Sequence, residues 1–379
     1  KLPKSLAHYD CRNNRLAQFG LETDGFAESV RSAIARYGSD RVGVFLGTST
    51  AGIAFVPGYE KVGALAIVLL ILFRTSQGVA LGGSWDGLPS LLALNAPKHR
   101  RGWYAMLGQL GAPAGFIVAA ALFSFLYSSL SNADFYDWGW RYPFFAAFAI
   151  NVVALFSRLR IVVTHEYEQQ MGERELEPVP VSELFRVKGR HVVIGAFAAL
   201  ASYAIFHVVT IFPLSWIQLY TEQNISRFLM VQVVGGFLAM GGVLASGVIA
   251  DRVGRVQTLA ATAVAIAVFS GFAPTLLGGG PGAQQLFMLI GFVLLGLSYG
   301  QASGAVTRNF GSRYRYTGAA LTTDLAWLIG AAFAPLVALV LAAEFGLPYV
   351  GLYLLSGALA TLAALVVNRR LKQREAAQG

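Results

Sequence analysis

The stretch RFLMVQVVGGFLAMGGVLASGVIADRVGR, residues 227–255, decides the architecture of this chain. Between Arg227 and Asp251 lie 23 residues without a charge. An α-helix of that length reaches about 34 Å at 1.5 Å per residue, enough to cross the roughly 30 Å of hydrocarbon in a bilayer. Polarity then returns at once with Asp251, Arg252 and Arg255. Working outward, the same alternation of long apolar run and short charged loop predicts nine spans: 63–93, 103–128, 140–158, 191–218, 227–250, 257–277, 285–306, 318–342 and 347–367. Pro113, Pro213 and Pro335 fall inside spans, where lipid-buried helices tolerate them because the rest of the backbone ladder stays paired.

Composition agrees with a membrane protein. Charged residues are 13% of the 379, about half the share in a soluble domain, and hydrophobic residues are 55%. Mean hydropathy is +0.57. A single cysteine excludes a disulfide framework and a cysteine-ligated zinc site, and five histidines leave little for metal chemistry. No metal, no organic cofactor and no catalytic residue are expected. The net charge of +9 would suit nucleic acid, but its placement argues otherwise. Eighteen Lys and Arg fall in 94–102, 158–190, 251–256, 307–317 and the C-terminal tail, while 129–139, 219–226, 278–284 and 343–346 hold none. By the positive-inside rule the basic loops and the C-terminus face the cytoplasm of a multi-pass inner-membrane protein, with the lipid bilayer as partner and no nucleic acid.

Residues 1–52 read differently. Asp24 is placed to cap a helix carrying Phe26, Val30 and Ile34, Gly38 to end it, and Val42–Leu46 to form a short strand. No apolar signal-peptide region follows Lys1 and Lys4. Nine spans with an inner C-terminus put this polar, basic segment outside, which conflicts with a coherent fold. The runs Tyr9–Ala17 and Arg41–Thr50 resemble an early part of a β-ketoacyl-acyl-carrier-protein synthase. That likeness stops before the family's catalytic residues, and Cys11 does not match the catalytic cysteine.

From about residue 53 onward the chain resembles the metabolite:proton symporter family of the major facilitator superfamily. The carrying motifs are Pro57-Gly58-Tyr59, Arg74–Gly78 with Gly82–Trp85, Arg100-Arg101-Gly102, Gly111–Gly115, Gly139–Phe144, Asp251–Arg255 and Arg313–Gly318. The resemblance implies an all-α membrane protein, a monomer with proton as coupling ion and a small organic metabolite (an organic acid or a zwitterion) as cargo. It also implies a truncated fold, because the nine spans match the family's fourth to twelfth helices and the first three are missing, which would impair transport. The expected organisation is a ketosynthase-like fragment at 1–52, a remnant of the N-terminal half at 53–160, a cytoplasmic linker at 161–190 and a six-helix C-terminal half at 191–379. The rival readings are a membrane-tethered fusion related to fatty-acid or polyketide synthases, and a non-transporting interaction protein.

Candidate pathway residues are Arg74, Gln77, Asp86, His207, Tyr299, Gln301 and Asp324. A charge at hydrocarbon depth is costly and normally faces the bundle interior, which selects Arg74, with Gln77 one turn on; a structural ion pair is the plainer reading. Asp86 as an acidic coupling residue is set against a structural hydrogen bond at the cytoplasmic end, and Asp324 as a proton site against a pairing with an arginine such as Arg308. Histidine as a residue type titrates near neutrality, which selects His207 as a proton relay, against a simple interhelical hydrogen bond. Tyr299 and Gln301 are expected to line the cavity. Gly247, Asp251, Arg252, Gly254 and Arg255 form the expected gate: the small residue lets helices approach, and the carboxylate braces helix N-termini and arginines. Gly108, Gly111, Pro113 and Gly115 are expected to bend a helix and permit close packing. Tyr136, Trp138, Trp140 and Tyr142 read as an interfacial aromatic belt.

Overall fold

The computed structural model describes residues 53–82, 96–162, 179–221, 223–302 and 310–378, together with Ser32 and Ala35. The chain divides into two compact units, Lys1–Gly47 and Thr48–Gly379. Of the first unit only Ser32 and Ala35 are described, both helical and both within the helix read between Asp24 and Gly38; the rest of that helix, the strand and the ketosynthase likeness read in 1–52 lie outside the described residues.

The second unit is helical, with no strand among its described residues. In chain order the helices are α1 (Tyr59–Val62), α2 (Ala64–Gly82), α3 (Arg101–Leu107), α4 (Gly111–Ser129), α5 (Asn132–Asp137), α6 (Tyr142–Val162), α7 (Val181–Ala198), α8 (Leu200–Thr210), α9 (Phe212–Tyr220), α10 (Ile225–Val253), α11 (Arg255–Gly278), α12 (Pro281–Ala302), α13 (Ser312–Trp327), α14 (Ala334–Glu344) and α15 (Pro348–Gln378). A π-turn, Leu328–Ala332, joins α13 to α14.

Among the described residues seven helical stretches are long and apolar enough to cross a membrane: Arg101–Ser129, Val181–Tyr220, Ile225–Val253, Arg255–Gly278, Pro281–Ala302, Arg313–Glu344 and Pro348–Leu371. The count of nine is not confirmed among the described residues, which leave out 83–93 of the first expected span. The expected span 63–93 coincides with α2, whose apolar part Ala64–Gly78 is too short. The expected span 140–158 coincides with the 21-residue α6, which is not one of the seven.

Proline explains the breaks within spans. Its missing N–H and its ring weaken the preceding turn. Turns interrupt the helix at 108–110 ahead of Pro113, at Ile211 ahead of Pro213, and at the π-turn and Phe333 ahead of Pro335. A further break at Ala199, with no proline, is held by another helix. The Thr361 hydroxyl of α15 accepts from Ala201 N at 2.8 Å and donates to Phe197 O at 3.1 Å, standing between two groups that an unbroken helix would pair. Likewise Tyr353 of α15 donates its hydroxyl to Gly330 O of the π-turn at 3.1 Å.

The tightest helix pair, α10 against α12, is a seam of small residues. A Cβ on Gly296 would stand 2.1 Å from Ala239 O; on Gly242, 2.9 Å from Val293 O; on Gly300, 2.2 Å from Ser246 Oγ. Backbone-to-backbone approach of this kind is how helices associate in lipid, where no water is left to drive them together. The main core, including Ile205, Phe212, Ile266, Phe287 and Leu354, is shared by α7 to α15. At one end of this body, Glu183 of α7 takes a 2.9 Å ion pair from Arg313 and a 2.9 Å hydrogen bond from Tyr314, tying α7 to α13.

Candidate functional site

The sequence motif at the end of α10 builds a junction between helices far apart in the chain. Gly254, at φ +95°, stops α10, a conformation that costs glycine no steric penalty. Asp251, one turn inside that end, points its carboxylate at the start of α3. Its Oδ1 accepts from Gly102 N at 2.6 Å and its Oδ2 from Trp103 N at 3.1 Å. These N–H groups open a helix and have no partner inside it, so the carboxylate supplies both bonds and the favourable charge. Arg255 donates to Arg101 O.

Two glycines let the chains come this close. A Cβ on Gly102 would stand 2.9 Å from Gly247 O, and one on Gly247 would stand 3.1 Å from Trp103 Cα. Gln301, wholly buried at the end of α12, donates its Nε2 to Gly102 O and to Ser246 Oγ, each at 3.3 Å. Gln301 therefore belongs to this junction and does not line the cavity as expected. Arg252 is exposed.

Toward the middle of the body lies a cavity of about 20 Å³, room for little more than a water. Ala112, Pro113 and Phe116 of α4 line one side of it; Phe206, Phe292 and Tyr299 line the other. Beside it sits a ring cluster. Tyr203 lies 4.7 Å from Trp327, Phe206 lies 5.1 Å from Trp327, and Tyr299 meets Phe206 at 5.5 Å. His207 joins the edge of this cluster, 6.1 Å from Trp327, and its buried Nδ1 has no hydrogen-bond partner among the described residues. The rings touch one another, so the cluster is closed to a metabolite in this arrangement.

Other expected residues fall elsewhere. Arg74 is exposed on α2 and donates to Gln77 at 3.4 Å, while Leu65, Ile67, Val68, Ile71 and Leu72 of that helix are each more than half exposed. It does not face the bundle formed by the described helices. Asp324 is exposed on α13, and Asp86 and Arg308 lie outside the described residues, as does any Asp324–Arg308 pair. Pro113 lines the cavity, but a Cβ on Gly111 or Gly115 would meet nothing, and Gly108 is exposed in the turn between α3 and α4. Among the described residues Gly111 and Gly115 do not permit close packing. Gly236 does so for α4, where an added Cβ would stand 2.5 Å from Ile117. Of the residues read as a belt, Tyr136, Trp138 and Tyr142 are exposed, and the Arg141 guanidinium lies 4.5 Å over the Trp140 ring.

Reading the sequence residue by residue missed Gly102, Ser246, Phe206, Trp327 and the seam on α10 and α12. The seam had a signal, glycines or serines recurring every four or seven positions at 235, 242, 246, 296 and 300. Phe206 and Trp327 had none, since an aromatic residue in an apolar run looks the same whether it meets a pocket or lipid.

The Major Facilitator Superfamily profile matches residues 32–324. That match begins inside the segment read above as ketosynthase-like, so the family likeness reaches N-terminal of residue 53. The chain is 32% identical to the inner membrane metabolite transport protein YhjE of Escherichia coli (strain K12), over 92% of this chain and 82% of that protein. It is 30% identical to the shikimate transporter of the same organism, over 83% of this chain and 73% of that one. A solved structure of the proton:xylose symporter XylE shares the fold at a TM-score of 0.62 and 18% identity, covering 89% of this chain and 81% of that one. With a profile spanning most of its length and the junction between α3, α10 and α12 where two helix groups meet, this chain belongs to the Major Facilitator Superfamily of membrane transporters.

Proposed function

We propose that this protein is a proton-coupled secondary transporter of small organic metabolites, organic acids or zwitterions, in the inner membrane. It works as a monomer with nine spans and a cytoplasmic C-terminus. The carrying observation is the Asp251 carboxylate, which crosses from α10 to cap α3 beside a cavity lined from both sides. In this reading residues 53–160 rock against 191–379 about that cavity. The junction of Asp251, Arg255, Gly102 and Gly247 is the inward gate, shut here. Tyr203, His207, Tyr299 and Trp327 line the pathway once the halves part. A relative that carries shikimate, itself a carboxylate, and the eighteen basic residues on one side of the spans support the cargo class and the orientation.

The test is proton entry into liposomes holding the purified protein and a pH-sensitive dye. Addition of a panel of dicarboxylates, aromatic acids and zwitterions is expected to acidify the lumen with at least one of them, and a protonophore to abolish the uptake of that compound. No proton entry with any compound overturns the coupling. Uptake above protein-free liposomes also refutes the expectation that transport is impaired.

A further inference from the structure

Gln301 is the unusual member of the junction, and the argument about it rests on the gate reading above. Its side chain is 0% exposed. The amide orientation follows from chemistry: Gly102 O can only accept, so the nitrogen must face it. That choice leaves Oε1 buried with no hydrogen-bond partner among the described residues. Both bonds that Nε2 makes are at 3.3 Å, the long end of the range, where little is gained over the same bonds made to water. A buried acceptor left unpaired, by contrast, forfeits its full hydration. The unpaired oxygen therefore outweighs the two weak bonds, and Gln301 is a net liability for the shut gate compared with an apolar side chain of its size.

When α3 leaves α10 and α12, the Gly102 face of Gln301 is uncovered and Oε1 regains a partner in water. We infer that Gln301 is a counterweight to Asp251: a positioning residue that keeps the shut gate only marginally stable, so that the gate opens often enough for turnover. Asp251 holds the gate shut through two N–H groups at 2.6 and 3.1 Å; Gln301 limits how firmly it stays so.

The experiment uses the full chain in membranes, with Cys11→Ser removing its one thiol and Met106→Cys reporting on the gate. Met106 is 0% exposed and packs on Gly247, so its thiol is reached only when the gate parts. Reaction with N-ethylmaleimide is followed, with Ala358→Cys, in the core on α15, as a control for general loosening in a parallel chain. Gln301→Met is expected to slow labelling at 106 by roughly threefold to thirtyfold and to raise the melting temperature, because it removes the unpaired acceptor. Gln301→Leu gives the same test by a different shape if the methionine variant does not insert. Labelling that is unchanged or faster in the variant that inserts, or a lowered melting temperature in both, overturns the inference. Asp251→Asn, expected to speed labelling at 106 and not at 358, tests the gate itself. No effect of Asp251→Asn sinks the gate reading, whereas an effect there with fast labelling in Gln301→Met sinks only the counterweight.

Discussion

Replacing Gly296 by Ala adds one methyl group in the middle of the α10–α12 seam. Its carbon would stand 2.1 Å from Ala239 O and 2.9 Å from both Ala239 C and Cα. Ordinary contacts begin near 3.4 Å. All three opposing atoms are backbone, so no side chain can swing aside and the helices must separate by about 1 Å along their shared face. Overpacking of this sort costs about 1–3 kcal/mol, set against the roughly 1 kcal/mol that alanine gains over glycine in a helix. The clash sits at the top of that range, so the net expectation is destabilisation by about 2 kcal/mol. Gly241 is the matched control, in the same pair of helices with nothing within 4 Å of an added Cβ, and Gly241→Ala is expected to be neutral or to gain up to about 1 kcal/mol. Gly242, with Val293 O at 2.9 Å, falls between them. Thermal unfolding in detergent, followed by tryptophan fluorescence, should rank Gly241→Ala highest, then Gly242→Ala, then Gly296→Ala. Adding Ala239→Gly should not rescue Gly296→Ala, because the methyl it deletes is not what the new carbon strikes. Equal melting temperatures for the Gly241 and Gly296 variants, or such a rescue, refute the backbone-contact argument.

Thr361→Val is expected to lower stability by about 1–3 kcal/mol by leaving Ala201 N unpaired, while Thr361→Ser stays near the parent in the same thermal assay. Gly254→Ala forces φ +95° on a residue with a Cβ and should cost about 1–2 kcal/mol, read as a lower melting temperature. Glu183→Gln breaks the bond to Arg313, which is 68% exposed, so the loss should stay within about 1 kcal/mol and shrink in high salt.

The seven apolar stretches and the contacts of the 247–255 motif were legible in the sequence because their physics is local: apolar length, glycine spacing and a carboxylate placed one turn from a helix end. Gly247 and Asp251 do what their spacing implied, bringing a helix close and bracing its N-terminus. Where Arg74 and Asp324 point was not legible, since depth in an apolar run says that a charge needs a reason but not which face it takes. Gln301 illustrates the same limit, two residues from Tyr299 in one helix yet serving the junction while Tyr299 faces the cavity. Those two positions differ by about 200° around a helix, and only the neighbours decide which side is which.

The stitch at Thr361 also sets an order of assembly. The break at Ala199 is synthesised about 160 residues before the hydroxyl that bridges it, and that hydroxyl belongs to α15. Until α15 has been made, no hydroxyl stands between Ala201 N and Phe197 O, and an unbent helix pairs these two groups with each other as i and i−4 partners. The Val181–Tyr220 stretch thus takes its bent shape only once α15 docks beside it.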